Sequence, residues 1–423
     1  MTVTSERVEV ATTPATPGEA MGAGQRLQLV LVLGALIALG PLTIDMYLPA
    51  LPSMTADLST TAAAAQLTLT GTLIGLGFGQ LFIGPISDAV GRRVPLLVGA
   101  AVHIAASLLC AFAPNLAVLG TLRVLQGLGA AAAAVVAMAI VRDLFDGLAA
   151  AKLFSRLMLV MGVAPVLAPT LGGELLRWTD WRGVFVALAV LGVLIMTGAA
   201  FGLRETLPVE RRRSGGVRGT LRMYGWLLRD RSFVGLVLVA GLTMAALFAY
   251  VAGSSFVFQG QYGLDEQQFG LAFGAGAVAL IGATQFNVRL LRRYSPGQIL
   301  IGSLVLGSVA GLALLANAVT GFGGLAGLLA PLWVVFVGAG LSFPNAPALA
   351  LSRHGAAAGT AAALLGAVQF GIGALAAPLV GVLGTASVGM AIVVAGGMIG
   401  ALSVLLLVVR PWRLAVAMPG RAG

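Results

Sequence analysis

The sequence predicts an all-α membrane protein, with twelve transmembrane helices in two six-helix bundles. Three observations predict it. The chain is 59% hydrophobic and only 9% charged, with a mean hydropathy of +1.00, whereas a soluble domain carries about a quarter charged residues. Twelve runs reach the ~20 mostly apolar residues a spanning helix needs. Six of them precede one long polar loop and six follow it, which divides 423 residues into a tail 1–27, a bundle 28–203, a central loop 204–231, a bundle 232–410 and a tail 411–423.

The tail 1–27 is polar, carries Glu6, Glu9 and Glu19 and lacks the basic start of a secretory signal, so it reads as a disordered cytoplasmic segment. The first run, 28–50, holds one carboxylate, Asp45, among Pro41, Pro49 and Pro52. Prolines remove helix hydrogen bonds, and a carboxylate in lipid is costly, so a broken helix around a functional acid is expected. In the second run, 64–88, the glycines of "GTLIGLGFGQ" suit close helix packing in lipid rather than nucleotide binding. The third, 95–113, contains His103 and Cys110 in apolar surroundings, where His103 reads as a packed, neutral side chain. The fourth, 116–141, carries Arg123 and, three residues on and on the same face, Gln126. The fifth, 152–177, combines Pro165 and Pro169 with the pair Gly172 and Gly173, and so reads as pliable; Glu174 follows at its outer, solvated end. The sixth spans 183–203.

Within the loop 204–231, "VRGTLRMYGWLLRD" spaces Val217, Leu221, Tyr224 and Leu228 three or four apart, opposite Arg218, Arg222 and Arg229. That pattern predicts a short helix on the membrane surface with Tyr224 or Trp226 at headgroup depth. The remaining runs are 232–259, 267–291, 297–317, 324–350, 357–384 and 388–410.

Of the 25 basic residues, all but Arg123, Arg177 and Arg182 fall in the tails and the loops on one side. The positive-inside bias therefore predicts cytoplasmic termini and a multi-pass protein of the cell membrane. The same distribution removes nucleic acid as a partner despite a net charge of +10. One cysteine and two distant histidines leave no disulfide framework and no zinc site. There is no GxxxxGK[ST] loop and no nucleophile–base pair, so neither ATP-driven pumping nor enzymatic chemistry is expected, and no cofactor.

Several motifs carry a family resemblance. "GPISDAVGRRVPLL" resembles the G-x-x-x-D-R-x-G-R-R loop of the major facilitator superfamily through Gly84, Asp88, Gly91, Arg92 and Arg93, with Ala89 in place of the usual basic residue. "LGTLRVLQGLGAA" matches the fourth-helix pattern L-x-x-x-R-x-x-Q-G-x-G-A-A throughout, and "GVAPVLAPTLGGEL" resembles the fifth-helix antiporter motif, with Ala168 replacing a glycine. "GPLTIDMYLPALPSM" is similar to the first-helix signature of the Bcr/CflA drug-resistance transporters, a branch of the twelve-helix drug:proton antiporters.

The resemblance implies proton-coupled export of hydrophobic antibiotics, such as chloramphenicol- or bicyclomycin-like compounds, by a monomer in the bilayer. It also implies a gating role for Asp88, Gly91, Arg92 and Arg93 and for Pro165, Pro169, Gly172 and Gly173. A same-fold exporter or importer of a metabolite such as an amino acid, or a non-transporting scaffold, remains the alternative. Counting 1.5 Å per residue puts Asp45 roughly 8 Å and Arg123 roughly 10 Å below the outer surface. Matching depth suggests a proton-coupling set of Asp45, Arg123 and Gln126, in which burial favours the neutral acid and a nearby Arg123 the charged one. Asp45 is expected to face a cavity. Tyr47, Phe248, Tyr250, Phe256, Asn345 and Gln369 are the expected lining of an apolar substrate pocket with a few polar groups.

Overall fold

The computed structural model describes residue 18 and residues 21–212, 216–384 and 387–411. Most of the two expected tails, including Arg7, Arg413 and Arg421, lies outside the described residues, as do Arg213 and the side chains of Val217 and Arg218.

Among the described residues all regular structure is helical. The α-helices are α1 (Ala23–Asp45), α2 (Leu51–Asp57), α3 (Ala62–Val90), α4 (Arg93–Ala111), α5 (Leu116–Leu144), α6 (Gly147–Leu175), α7 (Trp181–Gly202), α8 (Gly216–Leu227), α9 (Arg231–Ser255), α10 (Glu266–Leu290), α11 (Pro296–Thr320), α12 (Gly324–Leu351), α13 (Ala358–Val382) and α14 (Ser387–Val404). Twelve stretches of the described residues are long and apolar enough to cross a bilayer. Their ends are written in local chemistry. Thr61, Asn115, Asp180 and Asp230 each accept a backbone N–H at the start of α3, α5, α7 and α9. Asp265 with Gln268, and Ser295 with Gln298, form capping boxes that open α10 and α11.

The first span does not run as one helix. α1 stops at Asp45, a short 3-10 turn covers Leu48–Ala50, and α2 completes the crossing to Asp57. Pro49 and Pro52 explain the break, because neither can donate to a continuing ladder.

Helices α1 and α3–α7 pack mainly with one another, as do α9–α14, and the two groups meet along two seams, α3 against α13 and α6 against α10. Within the first group, Gly71, Gly75 and Gly79 of α3 lie against Gly120, Val124 and Ala131 of α5. Small residues bring these backbones together, which is how helices associate where lipid supplies no hydrophobic drive.

The polar loop does contain the expected helix, α8. Its Tyr224, however, is turned inward rather than to headgroup depth, donating to the Leu81 carbonyl at 3.0 Å. Burial pushes the Tyr224 phenol above its ordinary value. Leu221, Trp226 and Leu228 stay exposed, and Trp226 meets the His354 ring edge-on at 5.3 Å. A tyrosine needs a partner for its hydroxyl when buried, and Leu81 supplies it.

Candidate functional site

Two ends of the molecule differ. At the end that carries Arg92 and α8, a cavity of about 700 Å³ opens between the two groups. Its wall includes Ile37, Val135, Met138, Met158, Met161 and Met223, with Gln80, Asp88, Arg142 and Thr360 among its polar members. At the opposite end the groups are joined. Across the groups, Gly173 of α6 lies so close to the Glu266 carbonyl at the start of α10 that a Cβ there would be 2.5 Å from the oxygen; within the first group, Gly172 lies against the Met46 carbonyl, where a Cβ would be 1.9 Å away. The expected pair of glycines therefore does two jobs: one seats α6 against the break after Asp45, the other seats it against α10. Pro165 and Pro169 lie within α6, which remains helical through both.

Asp45 is 5% exposed and lies at the last residue of α1. Among the described residues it has no hydrogen-bond or ion-pair partner, and Tyr250 of α9 lies within electrostatic reach of it. It does not line the 700 Å³ cavity. Ile37 on the same helix does reach that cavity, eight residues or about 12 Å nearer the Arg92 end.

The expected Asp45–Arg123 pair is also absent. Arg123 is fully buried and donates through Nη1 to the Thr43 carbonyl at 3.0 Å and to Gln126 Oε1 at 2.6 Å. Its guanidinium lies 4.1 Å from the centre of the Tyr47 ring and 5.5 Å from that of Phe185. Helical geometry accounts for this. Thr43 and Asp45 are two residues apart, about 200° around the helix, so a group beside one cannot also face the other. Thr43 is moreover among the last four residues of α1, whose carbonyls run short of intrahelical donors. Arg123 fills that deficit, and aromatic faces stand in for an acid.

The network continues. Gln126 donates to Ser107 Oγ at 2.7 Å, Ser107 to the His103 carbonyl at 2.7 Å, and His103 Nε2 meets Thr43 Oγ1 at 2.9 Å. The pairing of Arg123 with Gln126 is as the sequence predicts, and His103 is packed as expected. Its bond to Thr43, and the part played by Ser107, carry no sequence signal.

At the Arg92 end, Arg92 bonds Asp88 at 2.5 Å, Ser87 at 2.8 Å and Asp143 at 2.8 Å. Asp88 and Asp143 sit in the last turns of α3 and α5, where the helix dipole disfavours negative charge. One guanidinium thus offsets two carboxylates and two helix ends. Burial works against the Arg92 charge, but the bonds to Asp143 and Asp88 outweigh it and hold its pKa above the ordinary value. Thr206 donates to Asp143 at 3.0 Å. Gly91 ends α3 with φ +103°, a conformation that favours glycine, and a Cβ there would lie 2.5 Å from Glu205 Oε2. Glu205 accepts from the backbone N–H groups of Arg92 at 2.8 Å, Arg93 at 3.2 Å and Leu207 at 3.0 Å. Partial burial would raise the Glu205 carboxyl, but these bonds and Arg212 hold it below its ordinary value. Arg93 itself reaches the Ala200 carbonyl. Ala89 leaves the motif without its usual cation, and Asp143 and Glu205 complete the network instead. Asp143 had a readable signal, an acid in the final turn of a spanning helix; Glu205 had none.

None of the six expected pocket residues lines the cavity. Tyr47 lies under Arg123, and the Phe248 ring lies 6.2 Å from that of Phe370, tilted by 45°. Tyr250 is clustered with Phe258, Phe273 and Phe336, and Asn345 donates to Asn287 at 2.7 Å. Phe256 and Gln369 are half-buried. Glu174 is exposed as expected, between Arg177 at 3.2 Å and Gln267 at 3.2 Å.

The profile of the Major Facilitator Superfamily matches residues 33–378. The chain is 39% identical to "Uncharacterized MFS-type transporter YdgK" of Bacillus subtilis, over 90% of this chain and 95% of that one. It is 32% identical to the "Bicyclomycin resistance protein homolog" of Haemophilus influenzae, covering 83% and 88%, and 32% identical to the "Chloramphenicol resistance protein" of Pseudomonas aeruginosa, covering 81% of each. Its fold is similar to that of a bacterial homologue of the human lysosomal transporter Spinster in an inward-facing, unoccupied conformation, with TM-score 0.70 at 15% identity over 93% and 98% of the chains. The chain belongs to the Major Facilitator Superfamily, as a twelve-helix transporter whose relatives are named for drug resistance.

Proposed function

We propose that the protein is a proton-coupled exporter of hydrophobic, drug-sized compounds, with its termini and the Arg92 end in the cytoplasm. It works as a monomer by rocking two six-helix bundles about a central path. The observation that carries the reading is the contrast between the two ends: a cavity of about 700 Å³ at one and joined helices at the other, which is one half of an alternating-access cycle. The cavity wall of aliphatic and methionine side chains suits apolar ligands of varied shape. Relatives named for bicyclomycin and chloramphenicol resistance support that class.

Asp45 is the proton carrier in this reading. It is buried at a break in α1, it lacks a partner of fixed charge, and a proton is the simplest means of removing its charge. Arg123 holds the Thr43 carbonyl two residues away and is itself bonded to Gln126, so a change at Asp45 can be passed to α4 and α5 through one hydrogen-bonded chain. Asp88, Gly91, Arg92 and Arg93 fasten the Arg92 end of the first bundle, and Pro165, Pro169, Gly172 and Gly173 shape the α6 seam; together they gate. Tyr47, Phe248, Tyr250, Phe256, Asn345 and Gln369 contact substrate once it moves deeper than the observed cavity.

The test is transport in proteoliposomes bearing an imposed pH gradient, with chloramphenicol and a panel of hydrophobic antibiotics. Gradient-driven drug movement that a protonophore abolishes supports the proposal. Movement of an amino acid with no antibiotic transported would favour the metabolite carrier instead.

A further inference from the structure

Besides the exposed bond from Gln267 to the Glu174 carboxylate, four bonds of one kind close the joined end. Gln66 Nε2 donates to the Ala252 carbonyl at 3.0 Å, and Thr70 Oγ1 to the Ala374 carbonyl at 3.0 Å. Ser255 Oγ donates to the Leu48 carbonyl at 2.7 Å, and Gln259 Nε2 to the Pro49 carbonyl at 3.1 Å. Each bond crosses between the two helix groups, each runs from a side chain to a backbone oxygen, and none involves an ionised group.

The acceptors lie at faults in the helices. Ala374 is four residues before Pro378, which has no N–H to offer it. Ala252 is four residues before Phe256, whose N–H goes to the Gly253 carbonyl as α9 passes into the π-helical stretch Phe256–Gln261. Leu48 and Pro49 form the 3-10 turn that interrupts the first span. At Ala374 and Ala252 the fault leaves the carbonyl without its i+4 backbone donor, and a side chain of the other group supplies one; the Leu48 carbonyl already accepts the Leu51 N–H of the 3-10 turn and takes Ser255 as a second donor. When the groups part, water admitted by the opening can take over the same carbonyls, so the bonds favour closure without making it irreversible.

We propose that Gln66, Thr70, Ser255 and Gln259 are the positioning residues that hold this end shut and set the ratio of its closed and open forms. Opening the seal exposes the break three residues beyond Asp45, which places solvent access to the proposed proton carrier under the control of these four side chains. The inference rests on alternating access and is independent of the substrate class.

The experiment uses the full chain, purified, with spin labels at Ala56→Cys and Leu383→Cys, both exposed positions at the joined end on opposite groups. The native Cys110 is buried and does not compete for label. Distance distributions are recorded without substrate for the seal variants Gln66→Leu, Thr70→Val, Ser255→Ala and Gln259→Leu, singly and in pairs. Losing one neutral hydrogen bond should move the open-to-closed ratio about two- to ten-fold, and pairs should move it further. Thr70→Ser keeps the donor and should restore the wild-type ratio. High salt should leave every ratio unchanged, because no bond of the set joins two charges.

Ser255→Ala adds no bulk and is the variant least prone to misfolding, so it reports even where Gln66→Leu fails. Unchanged distributions in the folded variants, or the same change in Thr70→Ser as in Thr70→Val, overturn the proposal. A failed drug-export assay would leave this readout untouched.

Discussion

If Arg123 is held by Tyr47 and the Thr43 carbonyl rather than by Asp45, substitutions at the two candidate partners should have opposite outcomes. The guanidinium lies 4.1 Å from the Tyr47 ring centre in a fully buried site, where a cation–π contact contributes about 2 kcal/mol or more. Tyr47→Leu removes it and leaves part of the ring's volume empty, so a loss of about 2–4 kcal/mol is expected. Tyr47→Phe keeps the ring and loses only the 3.3 Å hydroxyl contact to Thr68, about 1 kcal/mol at most. Asp45→Asn breaks no ion pair and should change stability by less than about 1 kcal/mol, whereas breaking a buried pair costs about 3–5 kcal/mol. The assay is thermal or denaturant unfolding of purified protein in one detergent, with the three variants side by side. Asp45→Asn as damaging as Tyr47→Leu, or equal losses for Tyr47→Leu and Tyr47→Phe, would refute the arrangement.

Three further outcomes follow from the same geometry. Gly172→Ala places a Cβ 1.9 Å from the Met46 carbonyl, so it should destabilise the fold by about 1–3 kcal/mol, and melting curves check it. Arg92→Ala leaves Asp88 and Asp143 facing two helix C-termini; about 2–4 kcal/mol should be lost, with Asp143→Asn in the Arg92→Ala background recovering part of it. Glu205 has its carboxyl held below the ordinary value of 4.5. Its stabilisation is therefore present at neutral pH and is lost as pH falls through that lowered value; Glu205→Gln should melt lower at pH 7 and show a weaker acid-induced decline than wild type.

The spans were legible because lipid imposes one requirement, a long apolar run, that survives in the sequence without any knowledge of packing. The break after Asp45 was legible from Pro49 and Pro52, and the Arg92 cluster from its motif. What the sequence hid was angular. Depth along a helix can be counted, so Asp45 and Arg123 look like partners; the two-residue offset between Asp45 and Thr43 that turns them apart needs the rotation of α1 relative to α5. The same limit applied to Tyr224, whose spacing marked an apolar face while the fold turned its hydroxyl to Leu81. Thr70 and Gln66 were invisible as gate residues because their acceptors are backbone carbonyls of a distant segment, freed by Pro378 and by the π-helical stretch after Ser255.

In the proposed cycle Asp45 carries the proton exchanged for drug. The most direct test is proton release from the purified protein in weakly buffered detergent solution, on addition of a transported hydrophobic antibiotic. Wild type should release protons as drug binds, and Asp45→Asn should bind drug with no release. Undiminished release from Asp45→Asn would contradict the account.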